Sequence, residues 1–168
     1  MMRLLRAALG ALVVVLAAGR AVSAQAAVHR NVATLALQHG VVAVDALSNG
    51  HVLVGASTDS GTATINLPVF AAREFTDSTK RIVAHHVAVS RHRRIFRSVA
   101  TDGRTGAGIS FARHVTRGVS VYRFFFSRAD ATGFPLDVSS RELGLVLRAL
   151  QHGVRLATTL TAAADTAR

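Results

Sequence analysis

Twice along this chain an alternating, strand-like run passes without a break into a helical pattern, at Ile65-Asn66-Leu67-Pro68 and at Leu136-Asp137-Val138-Ser139. A strand buries every second residue and a helix every third or fourth, so a change of period at one point fixes where a sheet ends and its covering helix begins. Two such junctions point to two strand-rich units, each ending in a helix.

The runs before each junction read as strands. Val41 to Leu47 and His51 to Ala56 flank Asn49-Gly50, the dipeptide of a type I′ hairpin turn. Thr62 to Leu67 then alternates, with Ala63, Ile65 and Leu67 on one face. Pro68 suits the first turn of a helix, in which Ala71, Phe75, Ser78 and Ile82 share a face as far as Ala84. The second series comprises Arg94 to Ala100, an Asp102-Gly103 turn, Gly106 to Arg113, Gly118 to Ser127 and Gly133 to Val138. Ser139-Ser140-Arg141-Glu142 is a capping box, and Leu143, Val146, Leu147 and Leu150 form the stripe of a helix expected to stop at Gly153.

The fold class expected is α+β: two consecutive antiparallel β-meander units, each closed by one α-helix and preceded by a cleavable signal peptide. The boundaries are 1–26 for the signal, 27–84 and 85–157 for the two units, and 158–168 for a flexible tail. Ala36-Leu37-Gln38-His39-Gly40-Val41 recurs as Ala149-Leu150-Gln151-His152-Gly153-Val154, off the spacing of the units. By analogy with the second copy, Asn31 to His39 reads equally as a short helix or a strand. The element order resembles that of single-strand-binding transcription cofactors, although element order does not transfer function.

The expectation of export rests on the N-terminus. Arg3 and Arg6 precede an apolar run from Ala7 to Ala18, and small residues lead to Ala24-Gln25-Ala26. This is the order of a secretory signal, with cleavage after Ala26 or Ala24. The apolar run is shorter than the roughly 20 residues of a membrane span. With no cysteine in the chain, disulfides and lipid attachment at a signal-site cysteine are both excluded, so stability must come from an apolar core. The expected location is periplasmic or secreted.

Charge is unevenly placed. Without Arg3, Arg6 and Arg20 the chain keeps seventeen basic residues against nine acidic. Between His85 and Arg128 there are nine arginines (Arg91, Arg93, Arg94, Arg97, Arg104, Arg113, Arg117, Arg123, Arg128) and one acid, Asp102. Arg91, Arg93, Arg94, Arg97, Arg113 and Arg123 are the candidate anion-binding residues, with a polyanion or an anionic envelope surface as the partner class. Codon supply alone can produce the skew of nineteen arginines to one lysine, and the competing reading is a solvated sheet face.

No catalytic, metal or cofactor motif is legible. His86 and His92 lie about 20 Å apart on an extended chain, too far to share an ion. Gly108-Ile109-Ser110-Phe111-Ala112 departs from the nucleophile elbow at its last position. Gly103 to Gly108 lacks a phosphate-loop lysine and reads as a hairpin loop. The function expected is therefore an exported, non-enzymatic binding or envelope-associated module. The alternative is a small exported hydrolase whose site assembles only in three dimensions.

Overall fold

The computed structural model describes residues 27–86 and 94–166; the signal-like segment lies outside this range. Eight strands and two helices follow one another as β1 (His29–Leu37), β2 (Gly40–Leu47), β3 (His51–Thr58), β4 (Gly61–Pro68), α1 (Val69–Ala84), β5 (Arg94–Thr101), β6 (Gly108–Thr116), β7 (Val119–Ser127), β8 (Gly133–Val138) and α2 (Ser140–Thr166). They form two antiparallel four-stranded meanders, β1-β2-β3-β4 and β5-β6-β7-β8, each followed by a helix.

The period-two pattern sets the register. In the first sheet Val42, Val44, Ala46, Val52, Val54, Ala56, Ala63, Ile65 and Leu67 all point to one buried face. In the second, Ile109, Phe111, Phe124, Phe126, Phe134 and Leu136 do the same. The rings of Phe111, Phe124, Phe126 and Phe134 follow one another at centroid separations of 5.4–6.3 Å, within the range at which aromatic pairs attract. The two inner faces and both helices share one continuous core.

Each helix packs mainly on the sheet it does not follow. α1 lies chiefly against β5, with Phe75 of α1 6.5 Å from Phe124 of β7 and Thr79 bonded to Ser98 of β5. α2 returns to cover β2, β1 and β3, and the helices also pack on each other. This corrects the expectation that each helix closes, and packs on, the strands that precede it. A tight turn at Pro68 or Ser139 carries the chain off the edge strand of its own sheet, and the apolar face left open nearby belongs to the other sheet. The buried side of α1 is accordingly Ala72, Phe75, Thr76 and Thr79, turned by about one position from the expected stripe.

One open choice is decided and two further expectations are revised. Asn31 to His39 is not a helix: it supplies most of β1, paired to β2 along its length. A β-bulge between Asn31 and Ala33 shifts the register, so the alternation reverses mid-strand and no clean period-two signal survives. Gly50 has a positive φ of 76° but Asn49 does not, so the β2–β3 connection is a three-residue loop closed by a left-handed glycine rather than a type I′ turn. Finally, α2 runs through Gly153 to Thr166, so 158–166 is helix, not tail. A side chain on Gly153 would meet Val44 and Val52, which makes this glycine a point of close helix–sheet approach rather than a cap. The capping box at the start of α2 forms as read: Ser139 N and Oγ donate to Glu142 Oε2, and Glu142 N donates to Ser139 Oγ.

Candidate functional site

With both inner faces used for the core, the two outer faces remain. That of the first sheet is mixed, with Thr34, Ala36, Ala43, Gly55, Ser57, Thr62 and Thr64 beside the partly buried Val41, Leu47 and Leu53, and none of its large apolar residues is exposed. One end holds a polar cluster in which Asp45 accepts from Asn31 Nδ2 at 2.7 Å and pairs with His29 at 3.1 Å. Nearby on the same sheet, His51 Nδ1 and Asn66 Oδ1 are buried without a hydrogen-bond partner.

The outer face of the second sheet differs in kind. Of the seven exposed large hydrophobic residues among those described, five stand on it: Ile95, Val99, Val119, Val121 and Phe125. Val99 and Val119 are 63% and 65% exposed. The register orders them into rows. Ile95, His114 and Val121 form one; Val99, Ser110, Phe125 and Pro135 form another; between them runs Arg97, Ala112, Arg123 and Asp137. Arg97 and Arg123 are thus separated only by the small Ala112, about 10 Å apart at their Cα atoms for a spacing of ~4.8 Å per strand. An arginine pair set between two exposed apolar rows suits a partner that is both anionic and greasy.

The sequence-derived arginines meet different fates. Arg91 and Arg93 lie outside the described residues. Arg94 opens β5 and is exposed. Arg97 stands on the outer face and forms no side-chain hydrogen bond or ion pair with a described residue. Arg123 shares that face and donates from Nε and Nη2 to the two oxygens of Asp137, at 2.6 and 2.8 Å. This fork holds the Asp137 carboxyl below the usual carboxylate range. Arg113 has the opposite parity and points toward the inner side. Its Nη1 donates to the carbonyls of Ile82, Val83 and His85, at 2.9, 3.1 and 2.7 Å, and so satisfies the end of α1. Arg128 donates to the Thr62 carbonyl and lies over the Phe134 ring, joining the sheets.

Two open depressions adjoin these elements. One, of about 210 Å³, lies between the helices and is lined by Arg73, Thr76, Asp77, Gln151, Val154 and Arg155. The other, of about 290 Å³, lies where α1 meets β5 and is lined by Ser78, Arg81, Ile82, His85, Phe96 and Arg97. Among the described residues no group of three or more His, Asp or Glu is placed to hold a metal ion, and no helix is long and apolar enough to cross a membrane.

Charge counting could find the arginines but not the apolar rows beside them. In an extended reading Arg97 and Arg123 share a side with Ile95, Val99, Val121 and Phe125, and the cost of burying unpaired arginines argues that this side is at least partly open, as it is. Tyr122, Phe124 and Phe126, the other candidate for an apolar face beside the arginines, turn to the core instead. Comparison with known proteins returned no match, whether to a family model, to a curated protein or to a solved structure.

Proposed function

We propose that this chain is an exported, non-enzymatic binding module whose working surface is the outer face of the second sheet, and that its partner is the anionic lipid surface of the cell envelope. The observation that carries this reading is the pattern of rows: exposed Ile95, Val99, Val121 and Phe125 on either side of Arg97 and Arg123. Apolar side chains gain by leaving water for the acyl boundary, while arginine stems extend so that their guanidinium groups stay with the phosphates. Anionic headgroups add roughly 1 kcal/mol per basic residue near the surface. The signal-like N-terminus supports placement outside the cytoplasm. Both depressions are open to solvent, which favours surface recognition over enclosure of a substrate.

Vesicle co-sedimentation tests the proposal. Binding to phosphatidylglycerol-rich vesicles is expected at low salt, with weaker binding to phosphatidylcholine and a marked loss at high salt. A Val99→Ser, Phe125→Ser double variant should lose most of it. Equal binding to both vesicle types, no binding, or full retention by the double variant would overturn the reading. Binding to heparin but not to vesicles would overturn it too and assign the surface to a soluble polyanion.

A further inference from the structure

The depression between α1 and β5 gathers three basic side chains, Arg81, His85 and Arg97, around Phe96 and Ser78, with no acidic residue in its lining. The inter-helix depression holds a carboxylate, Asp77, between Arg73 and Arg155. Among the described residues Arg81 and Arg97 form no ion pair, whereas Arg123 is already committed to Asp137.

One feature of the fold ordinarily opposes an anion here. Arg81 and Ile82 lie in the last turn of α1 and His85 caps it, where unsatisfied carbonyls leave the negative end of the helix dipole. Arg113 removes that opposition. Its guanidinium reaches across from β6 and takes the carbonyls of Ile82, Val83 and His85, so the cations lining the depression are not drawn to them. The His85 ring packs against Phe96 at 5.3 Å, which holds the imidazole at the rim. The result is a recess whose lining brings a serine, a histidine and two arginines together with no acid among them.

We infer that this recess binds a terminal tetrahedral oxyanion, a phosphate or sulfate monoester, with Arg81 and Arg97 as its principal contacts. Arginine forks match the paired oxygens of such groups. The volume of about 290 Å³ admits the ester and the first atoms of whatever carries it, not a large ligand. Arg97 stands on the outer face and also lines the recess, so an ester on a lipid would enter at the border of the apolar rows. The inference rests on the surface reading only for that presentation; the recess would bind a soluble ester without it.

The test is a titration of the purified protein with glucose 1-phosphate, glucose 6-sulfate and glucose, followed by amide chemical shifts, since the chain has no tryptophan to report binding. Saturable shifts at Phe96 and Arg97 with either ester, and none with glucose, are expected. Arg81→Gln and Arg97→Gln should each weaken binding about tenfold, as expected for loss of one charge-assisted contact. Arg155→Gln, in the other depression, should not. Melting temperatures of all three variants would establish that they are folded. No saturation at millimolar ester, or equal affinity in Arg81→Gln and Arg97→Gln, would overturn the site. The Val99→Ser, Phe125→Ser variant separates the two proposals. Loss of vesicle binding by this variant with ester binding intact supports both, while a parent protein that binds vesicles but no ester leaves the surface standing and removes the recess.

Discussion

Thr79 Oγ1 of α1 and Ser98 Oγ of β5 lie 2.7 Å apart, both buried, and tie the helix after the first sheet to the first strand of the second. A hydroxyl left alone in this setting loses its partner with no water to replace it. Ser98→Ala is therefore expected to destabilise the protein by about 1–2 kcal/mol. Thr79→Val with Ser98→Ala should cost less than the sum of the two single changes, because the double variant leaves no orphan. Denaturant unfolding of the four proteins measures this, and strict additivity would show that the pair is not coupled.

Two glycines of α2 predict opposite outcomes. A side chain on Gly144 would meet only Arg148, at 3.5 Å, so Gly144→Ala should stabilise by about 0.5–1 kcal/mol through helix propensity. A side chain on Gly153 would already press on Val44 and Val52, at 3.0 and 3.3 Å, so Gly153→Leu should destabilise by about 1–3 kcal/mol. Thermal melts of both variants decide, and a neutral Gly153→Leu would mean that α2 does not approach β2 and β3 so closely.

Acid should weaken the fold through two carboxylates. Asp102 is held below its ordinary range chiefly by the Thr105 hydroxyl and then by the Arg104 amide. Glu142 is held low chiefly by the Ser139 hydroxyl, then by the Ser139 and Gln38 amides. A depressed value means the folded state binds the proton less readily than the unfolded chain. The stabilisation is present above the unfolded carboxylate values of about 4 and is lost as pH falls through the lower folded values. Asp102→Asn and Glu142→Gln should each be less stable than the parent near pH 6, with the gap narrowing toward pH 3. Urea midpoints across that range test it; a constant gap would exclude these groups as a source of the acid sensitivity.

The Arg123–Asp137 pair is solvent-facing, each side chain nearly half exposed. Breaking it should change stability by under about 1 kcal/mol. Asp137→Asn should instead tighten binding to anionic vesicles, because it removes a negative charge from the row that carries Arg97 and releases Arg123. Weaker binding by this variant would show that Asp137 belongs to the recognition surface as a positioning residue for Arg123.

Much of the architecture was legible in the sequence because it rests on period and punctuation. Seven of the eight strands follow from alternation between turn residues, α1 follows from Pro68 and its helical spacing, and the start of α2 from Ser139 and Glu142. β1 escaped because its bulge reverses the alternation at Val32. The candidate surface was largely legible: Arg97 and Arg123 share parity with Ile95, Val99, Val121 and Phe125 in any extended reading, and the cost of burying unpaired arginines argues that this side stays at least partly open, but parity cannot say what covers the other face.

That decision belongs to tertiary structure, and the repeated hexapeptide shows why. Ala36-Leu37-Gln38-His39-Gly40-Val41 turns from β1 into β2, whereas Ala149-Leu150-Gln151-His152-Gly153-Val154 is continuous helix. Local preference is identical in the two copies, so the neighbours choose. A side chain at Gly40 would collide with the Ser57 carbonyl of β3 across the turn, and one at Gly153 would press on Val44 and Val52 beneath the helix. The sequence by itself determined where seven of the strands and both helices begin, to within a few residues, because backbone dihedral preference and side-chain period act over that range. Only the tertiary structure decided that each helix covers the other sheet and that Arg113 turns inward to α1. It also decided which helix covers the face opposite Arg97, since burial is settled by whichever distant segment reaches a face and packs it without voids.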